Sequence, residues 1–108
     1  MLCSYATAPD RRDERPLPLA AFQQVLATLP DKEFLAFVDE RGEVAERHTP
    51  RSFDARTRRL ARALTGPWGA RPGDRVILAH PPGLGFFEAF VACLRAGIIP
   101  VPVYPPVP

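Results

Sequence analysis

Several things are scarce in this chain of 108 residues, and each scarcity excludes a class of protein. There are 2 cysteines, Cys3 and Cys93. One lies near the N-terminus and the other inside an apolar helical pattern, so they make no disulfide framework. No charge dominates: 14 basic residues face 12 acidic ones, for a net charge of +2. A nucleic-acid protein needs a one-signed basic face, and none is written here. Long hydrophobic runs are missing too. The longest charge-free stretches, Val76 to Phe87 and Ala96 to Pro108, are too short and too rich in proline to span a bilayer. The opening MLCSYATAPDRRDERP has no continuous apolar segment and so is no secretory signal. Asp10, Asp13 and Glu14 argue against a transit peptide. The expected location is therefore the cytoplasm.

What the chain does have is ordinary globular content, 46% hydrophobic and 24% charged residues, with one excess. The excess is proline, 14 in all, most of it after residue 65. These prolines fall at strand edges and turns and form no repeat.

Residues 1 to 15 are polar, mixed in charge and aperiodic, which predicts a flexible lead-in. Leu19, Phe22, Leu26 and Leu29 then recur at helical spacing, and Pro30 ends the pattern. Phe34 to Val38 reads as a strand, Glu40-Arg41-Gly42 as a turn, and Val44 as the start of a return strand. In SFDARTRRLARAL the residues Phe53, Thr57, Leu60, Ala61 and Leu64 form one apolar stripe, with Ser52 expected as its N-cap. Arg56, Arg58, Arg59 and Arg62 fall outside that stripe and read as a solvated face. Gly66-Pro67 stops the helix.

Val76 to Ala79 is a continuous apolar run, expected of a strand covered on both faces. LGFFEAFVACLRA follows as a helix that is apolar nearly all round, with Phe87 and Phe90 expected in the core. Gly97 supplies its left-handed stop. Ile98 to Tyr104 then reads as a second strand. Strand, helix and strand in so few residues make a βαβ unit, hence a parallel pair with a right-handed crossover. The fold class is α/β.

Motifs for chemistry are few. Gly83 and Gly85 stand between strand and helix, but Glu88 sits where a dinucleotide loop has its third glycine. Its charge would repel a pyrophosphate. The Lys-Ser/Thr of a phosphate-cradling loop does not follow. His80 lies at the carboxyl end of a strand, where open α/β sheets place their sites. With no nucleophile or carboxylate at a catalytic spacing it reads as structural or partly exposed. His48 likewise has no evident partner. Neither HExxH nor CxxC occurs, so nothing points to a metal. YPPVP is a candidate polyproline ligand, although it is joined directly to a buried-looking strand. No catalytic, cofactor-binding or metal-binding residue is assigned.

The order of these segments resembles the start of the adenylate-forming superfamily of acyl-activating enzymes, most closely the fatty acyl-AMP ligases and long-chain acyl-CoA synthetases. Ser52-Phe53 stands where the family has Thr-Tyr. Gly73-Asp74-Arg75-Val76 and Pro81-Pro82-Gly83-Leu84, with Phe86, Ala89 and Phe90, follow the family pattern. So do Leu94, Ala96-Gly97, Val101-Pro102 and Tyr104-Pro105-Pro106, and the last of these tilts the resemblance toward the fatty acyl-AMP branch. The chain departs from the pattern at Ala55, Arg56 and Gly85. Ala55 removes the expected capping-box acid.

The resemblance implies that residues 16 to 108 are the N-terminal segment of an incomplete adenylating domain. The parent enzyme would use ATP and Mg²⁺ to convert a fatty acid to acyl-AMP and pyrophosphate. It would then pass the acyl group to coenzyme A or an acyl carrier protein. The family's phosphate loop, ribose-binding Asp and adenylation Lys belong to later motifs that this sequence does not contain. The expected role is scaffold, inactive alone, with the remainder of the domain as its main partner. The alternatives are a small interaction module using the Pro-rich tail, or a truncated product without function.

Overall fold

A computed structural model describes residues 18–106. The lead-in expected over residues 1 to 15, with Cys3, lies outside the described residues, as do residues 107 and 108.

Seven elements follow in order: α1 (Pro18–Thr28), β1 (Leu35–Val38), β2 (Val44–His48), α2 (Pro50–Thr65), β3 (Arg75–Leu78), α3 (Leu84–Ala96) and β4 (Ile99–Pro102). β1 and β2 form an antiparallel hairpin, while β3 and β4 pair in parallel across the α3 crossover. The expected α/β fold with a hairpin and a βαβ unit is what the chain adopts. The hairpin register shifts between Phe37 and Val38, where Val38 opposes Val44.

α2 starts earlier than its apolar stripe predicts, and its N-cap is Thr49, not Ser52. The Thr49 hydroxyl accepts from the Ser52 amide at 3.1 Å, and the Ser52 hydroxyl accepts from the Thr49 amide at 3.0 Å. This is a capping box closed by serine, so the missing acid at Ala55 removes nothing. Pro50 occupies the first turn, where its lack of an amide hydrogen costs no bond. At the other end of the unit Gly97 takes φ 71°, and the Ile98 amide donates to the Cys93 carbonyl at 2.9 Å. That left-handed stop turns the chain from α3 into β4.

The main core gathers Leu64 of α2, Leu78 of β3, Ala92 and Cys93 of α3, and Ile98. Burial pushes the Cys93 thiol above its ordinary range, which keeps it protonated and inert. A second cluster is aromatic. Phe22, Phe34 and Phe53 pack mutually with ring centroids 5.5 to 5.8 Å apart, tying α1 and the hairpin to α2. The α2 stripe holds as expected, with Phe53, Thr57 and Leu64 buried.

Three expectations need correcting. β3 is covered on one face only: Val76 and Leu78 turn toward α3, whereas Ile77 is 67% exposed. Phe87 is not core. It is 50% exposed, while Phe90 packs against the main core. The second strand is also shorter than expected. Ile98 is buried ahead of it, and Tyr104 lies beyond it with 98% of its surface exposed.

Candidate functional site

The residues singled out in the sequence converge on two places. The first is the carboxyl end of the parallel pair. His80, Pro81 and Gly83 leave β3, Val103 and Tyr104 leave β4, and with Phe86 and Phe87 they line a largely apolar cavity of about 640 Å³. The rings of Phe86 and Phe87 meet edge to face at 5.6 Å. His80 is half-buried and lies over Gly85, whose absent Cβ would meet Nδ1 at 3.5 Å. Open parallel sheets place ligands at this end. The cavity offers apolar surface, the imidazole of His80 and the phenol of Tyr104.

The second place is one that sequence reasoning missed. His48, at the end of β2, does have partners. Its Nδ1 lies 2.8 Å from the Ser52 hydroxyl and its Nε2 lies 2.8 Å from Glu88 Oε1. The other Glu88 oxygen accepts from Arg56 Nε at 3.1 Å. The node thus joins the hairpin, α2 and α3. His48 and Glu88 keep only 15% and 12% of their side-chain surface exposed. Burial opposes ionisation of Glu88, yet the bonds from His48 and Arg56 together outweigh it and hold the carboxyl below its ordinary value. Arg56 is therefore not simply a solvated side chain.

Serine, histidine and carboxylate in that order suggest a nucleophilic triad, but the local chemistry says otherwise. The Ser52 hydroxyl is engaged by the capping box and also reaches the Thr49 carbonyl at 3.1 Å. The amides of Arg51, Ser52 and Phe53 are all bonded internally, so none is left to hold an oxyanion. The node is a structural clamp.

Another polar group went unread in the sequence. Arg95 of α3 reaches Asp54 at 2.6 Å and the Thr57 hydroxyl at 3.0 Å, and its guanidinium lies 5.8 Å from the Phe22 ring centroid. Only local signals were available to the sequence, and Arg95 lies 41 positions from Asp54.

The strand-to-helix turn is tight. Gly83 takes φ 151°, and a Cβ there would sit 2.7 Å from the carboxylate oxygen of Glu46. That carboxylate lies where a phosphate would have to approach the first turn of α3, and like charges repel. Among the described residues no group of three or more His, Cys, Asp or Glu is placed to hold a metal ion. No helix among them is long and apolar enough to cross a membrane.

This combination of a hairpin, a parallel βαβ unit and a turn rich in proline and glycine defines a class. Residues 22–108 match the AMP-binding enzyme family, and the chain belongs to it. The chain is 34% identical over 88 residues to Disco-interacting protein 2 homolog B-A of Danio rerio, covering 82% of this chain and 6% of that protein. It is 40% identical over 73 residues to the long-chain-fatty-acid–AMP ligase FadD32 of Mycolicibacterium smegmatis, covering 68% of this chain and 11% of that one. Among solved structures it superposes on the fatty acyl-adenylate ligase of L. pneumophila, in complex with acyl adenylate and pyrophosphate. The TM-score is 0.73 at 35% identity, over 82% of this chain and 15% of that one. The chain thus spans a small fraction of each of these proteins. Its fold is that of the N-terminal piece of the adenylate-forming domain.

Family membership implies ATP and Mg²⁺ in the parent enzymes. The described residues do not fit either one: a carboxylate stands at the α3 turn, the Glu88 node is closed by internal partners, and among them no group of three or more His, Cys, Asp or Glu could hold a metal ion.

Proposed function

We propose that this chain is a scaffold segment of an ATP-dependent fatty-acid-adenylating enzyme and has no adenylating activity by itself. In the complete reaction a carboxylate oxygen attacks the α-phosphorus of ATP, the bond to the β-phosphate breaks, and pyrophosphate leaves. A thiol, on coenzyme A or an acyl carrier protein, then attacks the acyl carbon and AMP departs. These steps need donors and a cation around the α-phosphate. Residues 16–108 would belong to the adenylating domain, act in the cytoplasm, and have the rest of that domain as their first partner.

The observation that carries this reading is the likeness of 82% of the chain to a fatty acyl-adenylate ligase. The uncovered face of the βαβ unit, marked by exposed Ile77, supports it, because parallel sheets are ordinarily covered on both faces. The test is fatty-acid-dependent exchange of labelled pyrophosphate into ATP. The 108-residue chain is expected to give no signal above a protein-free control. The chain continued through a complete adenylating domain is expected to exchange. Exchange by the short chain would overturn the scaffold role.

A second reading draws on Tyr104, which is 98% exposed just before Pro105 and Pro106. An extended, exposed Pro-rich segment of this kind suits an aromatic groove on another protein. A compact monomer with an unprotected tail in amide exchange would favour it over the scaffold.

A further inference from the structure

Asp54 serves two arginines at once. Its Oδ1 accepts from Arg95 Nη2 at 2.6 Å and its Oδ2 accepts from Arg58 Nε at 2.9 Å, so both carboxylate oxygens are engaged. Arg95 is fixed further by the Thr57 hydroxyl, which accepts from its Nε at 3.0 Å and donates in turn to the Phe53 carbonyl at 2.9 Å.

A cavity of about 360 Å³ opens beside this group, between α1, α2 and α3. Leu19 and Gln23 of α1, Arg58, Ala61 and Arg62 of α2, and Arg95 of α3 line it. None of these residues belongs to the cavity at the carboxyl end of the parallel pair or to the His48 node. Three guanidinium groups thus meet at one opening, and among the described residues Asp54 is the one carboxylate that bonds any of them. The balance is two positive charges in excess. Arg58 and Arg62 stand four positions apart on one helix face, where like charges repel. The terminal amino groups of Arg58, one of Arg95 and the whole fork of Arg62 make no hydrogen bond among the described residues.

An arginine fork matches the oxygens of a phosphoryl group two at a time. Such a group carries a charge of about −1.5 to −2 at neutral pH on three acceptor oxygens, which matches the excess. Gln23 adds a neutral donor from α1, and Leu19 and Ala61 add an apolar wall beside it.

We propose that this cavity is an anion site for a phosphoryl dianion, taken as the free ion or as a small phosphate monoester and held by Arg58, Arg62 and Arg95.

The experiment is a titration of the 108-residue chain with inorganic phosphate at constant ionic strength, balanced with chloride. It is followed by the arginine Nε–H resonances and by thermal unfolding. The Arg58, Arg62 and Arg95 resonances are expected to shift to saturation, and phosphate is expected to raise the melting temperature. Arg62→Gln should weaken binding at least about tenfold, since it removes a charged hydrogen-bond partner from an exposed position. Arg59→Gln, next on α2 to Arg58 but outside the cavity lining, should leave binding intact. Asp54 and Arg95 stay unaltered because their pair holds the fold. Shifts that do not saturate, or equal weakening by Arg59→Gln, would reduce the three arginines to a diffuse positive face and overturn the proposal. A parallel titration with ribose 5-phosphate separates the two sources. Tighter binding than inorganic phosphate assigns the site to a phosphate ester, and weaker binding assigns it to the free ion.

Discussion

Nε2 of His48 and Oε1 of Glu88 lie 2.8 Å apart, although 40 positions separate them in the chain. This contact, with Arg56 on the other carboxylate oxygen, fastens the hairpin to the α2–α3 pair. Glu88→Ala leaves two donors without their acceptor and is expected to cost about 1–3 kcal/mol. The contribution is also pH-dependent. Glu88 has a folded-state pKa below its ordinary value of 4.5, so its stabilisation is complete above that value. It is lost as the pH falls through the depressed folded value. Urea unfolding of the wild type should therefore show a steeper loss of stability below about pH 4.5 than Glu88→Gln does.

The Asp54–Arg95 pair predicts a different pattern. Both side chains are largely buried, and Arg95 also holds the Thr57 hydroxyl. Asp54→Ala strands a buried guanidinium and is expected to cost about 3 kcal/mol or more. Replacing both partners with apolar residues, as in Asp54→Leu with Arg95→Met, should cost clearly less than the two single changes added. A double-mutant cycle by chemical denaturation measures the coupling.

The phenylalanines should separate by position. Phe53 is 4% exposed at the centre of the aromatic cluster, so Phe53→Ala should cost about 3–5 kcal/mol. Phe87 is half exposed, and Phe87→Ala should cost less than about 1.5 kcal/mol in the same chain. Thermal melts of the two variants give the comparison. A larger loss at Phe87 than at Phe53 would contradict the packing described.

Gly97 turns α3 into β4 with φ 71°, and a Cβ there would stand 3.4 Å from Pro72 Cβ. Gly97→Ala is therefore expected to cost about 1–2 kcal/mol from the left-handed backbone alone. Gly97→Asn, which tolerates that conformation better, should cost less. The order of denaturation midpoints, Gly then Asn then Ala, is the check.

The sequence by itself determined the local structure: the hairpin, the α2 stripe through Phe53, Thr57 and Leu64, and the βαβ unit ended by Gly97. Each is written in short-range periodicity, turn residues or a glycine that allows positive φ, and these act within a few positions. It also carried the family, through the run from Gly73 to Pro106. Tertiary structure alone decided the rest. Thr49 became the cap because the serine two positions after Pro50 closed the box from inside the helix. Phe87 and Phe90 share one apolar helix, and only the placement of α2 and the strands leaves the first exposed and packs the second. His48, Glu88 and Arg56, like Arg95 and Asp54, attract one another only once folding brings their elements together and removes most of the water between them. No spacing rule within the chain records a contact made at that range.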